Sequence, residues 1–248
     1  MKKNLISVEH LRMGHGETVL LDDVSFEVER GDVFVILGGS GCGKSTLLRH
    51  LVGLSQPMAG KISVAGTAPR LEGEAPRYGV MFQSGALFGS MTVGENVAFA
   101  LQEWTHLPPD AVQAIVRAKL ALVGLEGAED KLPAELSGGM KKRAAIARAM
   151  AFEPPLIFLD EPSAGLDPVS AVELDELILA LNRHLGLTVV MVTHELESIF
   201  KVGKRCIMLD RETRSIIARG DPKALRRESD DPRVKRFFNR ETSEAKWQ

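Results

Sequence analysis

Residues 33–45, VFVILGGSGCGKS, decide how the rest of the chain reads. The first five are apolar and rich in β-branched and aromatic side chains, a run that suits a strand covered on both faces. The run ends in glycine, and Gly38-Gly39-Ser40-Gly41-Cys42-Gly43-Lys44-Ser45 fits the spacing G-x-x-x-x-G-K-S/T. Residues 44–54 then read as a helix. Strand, glycine loop, lysine and helix in that order are the context in which this spacing carries chemistry. The glycines let successive backbone N–H groups converge on phosphate oxygens. The helix start, with Thr46 in its first turn, adds free N–H donors and a positive dipole. Lys44 is placed to reach the β- and γ-phosphates of a nucleoside triphosphate, and the Ser45 hydroxyl to ligate Mg²⁺. Cys42 reads as a small space-filler, with a redox switch as the other possibility.

Outward from this loop, residues 5–8 and 24–28 alternate apolar and polar side chains, the period of half-buried strands. Residues 112–123 have helical spacing behind the start signal Pro108-Pro109-Asp110, and residues 84–145 read as an inserted helical subdomain. β character returns at residues 156–159 and 188–192, with a helical stretch at 172–184 between them. Strands alternating with helices imply a parallel sheet wrapped by helices, an α/β fold. Residues 205–219 look like a hairpin turning at Arg211-Glu212-Thr213. The body is expected to span 1–220, followed by a charged tail at 221–248.

Composition removes several classes. The chain has 248 residues, with 31 Lys+Arg against 33 Asp+Glu. That near balance argues against a nucleic-acid partner held by bulk charge. Two distant cysteines, Cys42 and Cys206, indicate neither a disulfide framework nor a zinc site. No apolar run approaches the ~20 residues of a spanning helix. A soluble, cytoplasmic protein is expected, with any membrane link made through a partner.

Further candidates follow the later strands. Residues 156–161, LIFLDE, are an apolar strand ending in two acids. Strand side chains alternate faces, so Asp160 and Glu161 are expected to do different work. Asp160 would hold Mg²⁺, and Glu161 would polarise an attacking water. His194, just past the strand at 188–192, lies on the rim where α/β sheets bind ligands. Gln83 sits between a strand and the helical insert, where its amide can ligate Mg²⁺ and sense the insert. Ser137-Gly138-Gly139-Met140 opens an Ala-rich helix, with Ser137 a natural N-cap.

Taken in order, GGSGCGKST, Gln83, LSGGM, LIFLDE, SAGLD (163–167) and His194 resemble the ATP-binding subunit of ABC transporters. The resemblance covers the chain to about residue 220. It implies a P-loop NTPase with a RecA-like core, an N-terminal antiparallel β subdomain and the helical insert. It also implies ATP hydrolysis with Mg²⁺ by two copies paired head to tail. ATP would lie between the Lys44 loop of one copy and the Ser137-Gly138-Gly139 helix start of the other. Asp167 would contact the opposite copy. Two departures stand out. Met140 replaces the usual glutamine, and where an aromatic usually stacks on adenine the chain has Met13, Gly14, His15 and Gly16, leaving His15 as the candidate.

LSGGM followed by KKRAAIARA, and MFQSGALF at 81–88, resemble the ATPases of Mla and Mce-type lipid transport systems. That resemblance implies a pair of integral permeases, an Mce-type lipid-binding protein and a place on the inner face of the bacterial inner membrane. Residues 84–93 would receive the permease. The alternatives are an ABC importer of another small solute or a soluble ABC ATPase. In the tail, Phe237 and Phe238 either dock on a neighbouring copy or pack on their own body.

Overall fold

A computed structural model describes residues 4–69, 77–83 and 85–241. In chain order the elements are β1 (Asn4–His15), β2 (Thr18–Glu29), β3 (Val33–Gly38), α1 (Lys44–Leu51), β4 (Ala59–Val64) and β5 (Gly79–Met81). Then come α2 (Val93–Trp104), α3 (Pro109–Leu122), α4 (Gly138–Ala149), β6 (Leu156–Asp160), α5 (Pro168–Leu185) and β7 (Thr188–Val192). The chain finishes with α6 (Leu196–Val202), β8 (Arg205–Asp210), β9 (Ser215–Gly220), α7 (Pro222–Glu228) and α8 (Pro232–Asn239).

The chain divides into two compact units, Met1–Arg70 with Val190–Gln248, and Leu71–Val189. In the first unit β1 pairs antiparallel with both β2 and β4. β3 pairs in parallel with β8, and β8 turns back antiparallel into β9. Every residue of β3 is buried, as its unbroken apolar sequence requires. Phe34 stacks on Phe26 with ring centres 5.8 Å apart. In the second unit β5 and β6 run parallel, and Phe158 of β6 meets Tyr78 edge-on at 5.3 Å. Helices α2 to α5 belong to this unit, and β7 crosses the division.

β1 is longer than its alternation suggests, for a local reason. The apolar–polar pattern breaks after Val8, and His10 takes a left-handed φ of 50°. The register with β2 shifts between Val8 and Leu11, so Leu11 and Met13 return to the buried face. The helix starts follow their capping chemistry. Thr92 and Glu95 form a reciprocal capping box on α2. Asp167, Asp221 and Asp231 cap α5, α7 and α8, each followed by proline at the first helical position.

The tail, expected only as a charged extension, forms the helices α7 and α8. Val234 and Phe238 are fully buried. Phe238 packs on Phe200 of α6 with ring centres 5.5 Å apart, and Arg226 lies over the same Phe200 ring at 5.1 Å. Arg233 binds Asp210 at 3.1 Å. Of the two readings of the tail aromatics, Phe238 follows the second: it packs within its own unit. Residues 242–248, and Ser84 at the start of the expected permease-facing segment, lie outside the described residues.

Candidate nucleotide site

The glycine loop leaves the C-terminal end of β3, where parallel strands present ligand-binding loops. Gly38 has φ 144°, and a Cβ there would fall 2.5 Å from Cys42 Sγ and 2.5 Å from the Leu209 carbonyl oxygen. No side chain fits at that position. Gly43, the residue before α1, is left-handed at φ 98°, and α1 begins with no side-chain cap. A non-glycine residue would resist this turn. The turn aims the helix start back into the loop. Gly39, Ser40 and Gly41 are exposed, while Cys42 and Gly43 are buried. Lys44 Nζ donates to the carbonyls of Gly38 at 2.8 Å and Gly39 at 3.0 Å, so the ammonium is held at the loop it would serve.

Around this loop the first unit gathers two more residues. His15 ends β1, and its Nε2 lies 3.3 Å from Thr46 Oγ1 in the first turn of α1. Met13 lies beneath Gly43, its Cε 3.3 Å from where a Cβ on that glycine would be. The residue that replaces the expected aromatic is thus split in two: a buried methionine under the loop and an exposed histidine at its side. Cys42 is buried, and burial pushes its thiol pKa up against the pull of Lys44. That fits packing and not redox reactivity. Ser45 is exposed on the first turn of α1. His194 lies past β7 with an exposed side chain, its Nε2 3.5 Å from Glu195 Oε1.

In the second unit Asp160 closes β6 and is buried. Glu161 is also buried but has left the strand, with φ 47°. The strand alternation invoked for these two acids therefore stops at Asp160. A left-handed backbone at a non-glycine residue is costly and concentrates at working sites. Ser163 Oγ is buried with no hydrogen-bond partner among the described residues. Asp167 Oδ1 accepts from the N–H groups of Val169 at 3.1 Å and Ser170 at 3.0 Å. Bonding to Ser170 lowers its pKa. This residue has a helix-capping job of its own, whatever it does toward a second copy.

Helix α4 opens as its sequence suggests. Ser137 Oγ accepts from the Met140 N–H at 3.2 Å, and Ser137 and Gly138 are exposed. Two basic residues of this helix were not singled out from the sequence. Lys142 is buried and donates from Nζ to the backbone carbonyl of Gln83 and, at 3.3 Å, to that of Glu161. Burial lowers its pKa, while Asp160 and Glu161 raise it. Arg148 donates to the carbonyls of Ala86 at 2.6 Å and Gly85 at 3.1 Å. The only sequence hint was the run KKR, which reads equally well as a solvated face.

The residues present fit a magnesium nucleotide. Gly39 to Gly41 form an exposed backbone concavity closed by an ammonium, with an uncapped helix start behind it. Mg²⁺ keeps several water and phosphate oxygens, so it needs only one or two protein oxygens. Ser45 and Asp160 are of the right kind.

Comparison with known proteins agrees. The family model for the ABC transporter matches residues 21–164. The Haemophilus influenzae intermembrane phospholipid transport system ATP-binding protein MlaF is 39% identical over 248 residues, covering 98% of this chain and 93% of the relative. The probable ribonucleotide transport ATP-binding protein mkl of Mycobacterium tuberculosis is 41% identical over 240 residues, and the match spans 66% of that longer protein. Among solved structures, cbiO1 from Clostridium perfringens, part of the transporter complex cbiONQ, superposes with a TM-score of 0.81 at 31% identity, covering 92% of each chain. A dimeric post-hydrolysis state of the ATP-binding cassette MJ0796 bound to ADP and phosphate gives 0.76 at 27% identity, covering 87% of this chain and 98% of that one. The glycine loop, the α4 helix start and the likeness over nearly the whole chain together place this chain in the ABC transporter family.

Proposed function

We propose that this chain binds Mg²⁺-ATP between two copies of itself and hydrolyses it to drive phospholipid movement through a separate membrane permease. One observation carries the cargo assignment: the match to MlaF runs end to end, at 98% of this chain and 93% of the relative. The match to mkl covers 66% of that protein, so the likeness to a ribonucleotide transport protein is to a part of it. No helix among the described residues is long and apolar enough to cross a membrane. An integral permease pair and an Mce-type lipid-binding protein are the partners proposed, at the inner face of the bacterial inner membrane.

The residues take the following parts. Backbone N–H groups from Gly39 to Ser45, with the Lys44 ammonium, bind and orient the β- and γ-phosphates. Ser45 and Asp160 would hold the metal ion, with Gln83 as a further oxygen ligand, and the bound ion would supply charge neutralisation at the phosphates. Glu161 accepts the proton of the attacking water, and His194 orients that water toward the terminal phosphate. His15 lies against the base. From the second copy, Ser137, Gly138, Gly139 and Met140 meet the terminal phosphate, and Asp167 meets the neighbour. Hydrolysis breaks the bond between the terminal phosphate and the rest of the nucleotide, which ends the link between the copies, and they part.

The decisive experiment is purification of the tagged chain from bacterial membranes, with identification of the integral partner and the bound lipid. Recovery of a permease with an envelope lipid-binding protein and phospholipid is expected. Recovery with a periplasmic solute receptor and no lipid would replace the cargo assignment while leaving the ATPase intact.

A further inference from the structure

Residues 85–92 have no helix or strand of their own, yet side chains from neighbouring helices hold them closely. Asn96 of α2 is fully buried. It accepts from the Phe88 N–H at 2.8 Å and donates to the carbonyls of Phe88, Met91 and Thr92. At the other end, α4 supplies two cations to backbone carbonyls: Arg148 to Ala86 and Gly85, and Lys142 to Gln83. The Arg148 guanidinium also lies over the Phe88 ring at 6.0 Å. Only Lys142 binds a second place as well, the carbonyl of Glu161.

That second bond is the consequential one. Glu161 sits just past the end of β6 in a left-handed conformation, so no strand ladder fixes its orientation. Its carbonyl and its carboxylate hang from one Cα, so a bond that holds the carbonyl also holds in place the backbone that carries the carboxylate. An aliphatic surface would be the cheaper way to fill a buried place on α4, since a buried ammonium loses its hydration. The molecule keeps a charge there and satisfies it with two carbonyls.

We propose that Lys142 is a positioning residue for hydrolysis, tying the carbonyl of Gln83 to that of Glu161 so that the set of the Glu161 carboxylate follows the place of the Gln83 segment. It rests on Glu161 being the base. Lys142 touches neither water nor phosphate and acts through Glu161. A shift of residues 83–92 would then reach the catalytic carboxylate through one side chain.

The test uses the full-length chain. Lys142→Met is expected to lower kcat about 10- to 100-fold, the range of a misplaced catalytic group. KM for ATP and the affinity for a fluorescent ATP analogue should stay within about twofold. Lys142→Arg, which can still donate to two carbonyls, should recover kcat to within about fivefold. Without nucleotide, hydrogen–deuterium exchange of Lys142→Met should quicken at 85–92 and 158–164 and stay unchanged in α5. Should Lys142→Met not fold, Lys142→Gln is read by the same measures. Wild-type kcat, a loss appearing in KM, or an exchange change confined to α4 would overturn the proposal. Glu161→Gln run alongside separates the two ideas. If it is inactive while Lys142→Met is normal, only the tie fails; if it is active, the base itself was misassigned.

Discussion

Helix α1 follows a glycine and α4 opens on two, and the proposed function gives both a phosphate-facing role, yet their starts are built in opposite ways. Before α1, Gly43 is left-handed and no side chain caps the helix. Before α4, Ser137 is extended and its hydroxyl takes the Met140 N–H. Gly43 is buried over Met13, whereas Ser137 and Gly138 are exposed. A Cβ on Gly139 would meet the Ser170 side chain at an ordinary 3.5 Å. The α1 start is bound into a loop that the Lys44 ammonium closes. The α4 start is stable, capped and open, and its glycines leave room for something to approach. On the proposed function, one is a site, and the other is half of a site that another copy would complete.

The largest effect should come from the self-sufficient start. Lys44→Ala removes the only side-chain cation bonded to the Gly38 and Gly39 carbonyls among the described residues. ATP affinity measured by titration calorimetry is expected to fall by on the order of 100-fold or more, as for a lost charge-assisted contact with phosphate. Normal affinity would show that the loop does not hold the phosphates.

Next in size is Glu161→Gln. It is expected to lower kcat by roughly 10²- to 10⁴-fold, the usual worth of a general base. Binding should persist, and ATP-bound pairs should accumulate in light scattering. That trapped pair makes the α4 half testable. Gly139→Arg, placed at an exposed start with no left-handed requirement, should leave single-copy ATP binding unchanged. It should abolish both hydrolysis and the pairs trapped by Glu161→Gln. Pairs that survive Gly139→Arg would mean the α4 start faces no nucleotide, and the contrast between the two helices would lose its functional meaning.

The α1 side was largely legible in the sequence, because buried strand, glycine loop and lysine leave few other readings. LSGGM was legible as a helix start with a serine cap. Less visible was what depends on distant backbone. Lys142 was one cation in a basic run until its carbonyl partners at positions 83 and 161 were in view. Glu161 was assigned a strand face, and its left-handed φ takes it off the strand. Met13 and His15 could be named near the missing aromatic, but not the bulge at His10 that returns Met13 to the buried face. The tail helices hid behind Asp-Pro pairs, which mark turns and helix starts alike.

The smallest effect comes from a helix start with no ligand role, and it sets the scale for the other two. Asp231 caps α8 by accepting from the Arg233 N–H at 2.8 Å, and its carboxylate also binds the Arg233 guanidinium. That side-chain bond outweighs burial and pulls the Asp231 pKa down to about 2. An unfolded aspartate titrates near 4, as an order of magnitude. The folded pKa is the lower one, so the contribution of this cap is full above about pH 4 and is lost as pH falls through about 2. Asp231→Ala is expected to cost about 1 kcal/mol, the typical worth of a cap. That corresponds to a melting temperature roughly 2–4 °C lower for a chain this long. The difference from wild type should hold steady between pH 7 and 5 and shrink toward zero near pH 2, with ATP affinity untouched. Ser137→Ala removes a cap of similar local worth, so an equal melting shift is expected. Only Ser137→Ala should also slow hydrolysis. Equal behaviour of the two variants in the ATPase assay would reduce the α4 start to an ordinary capped helix.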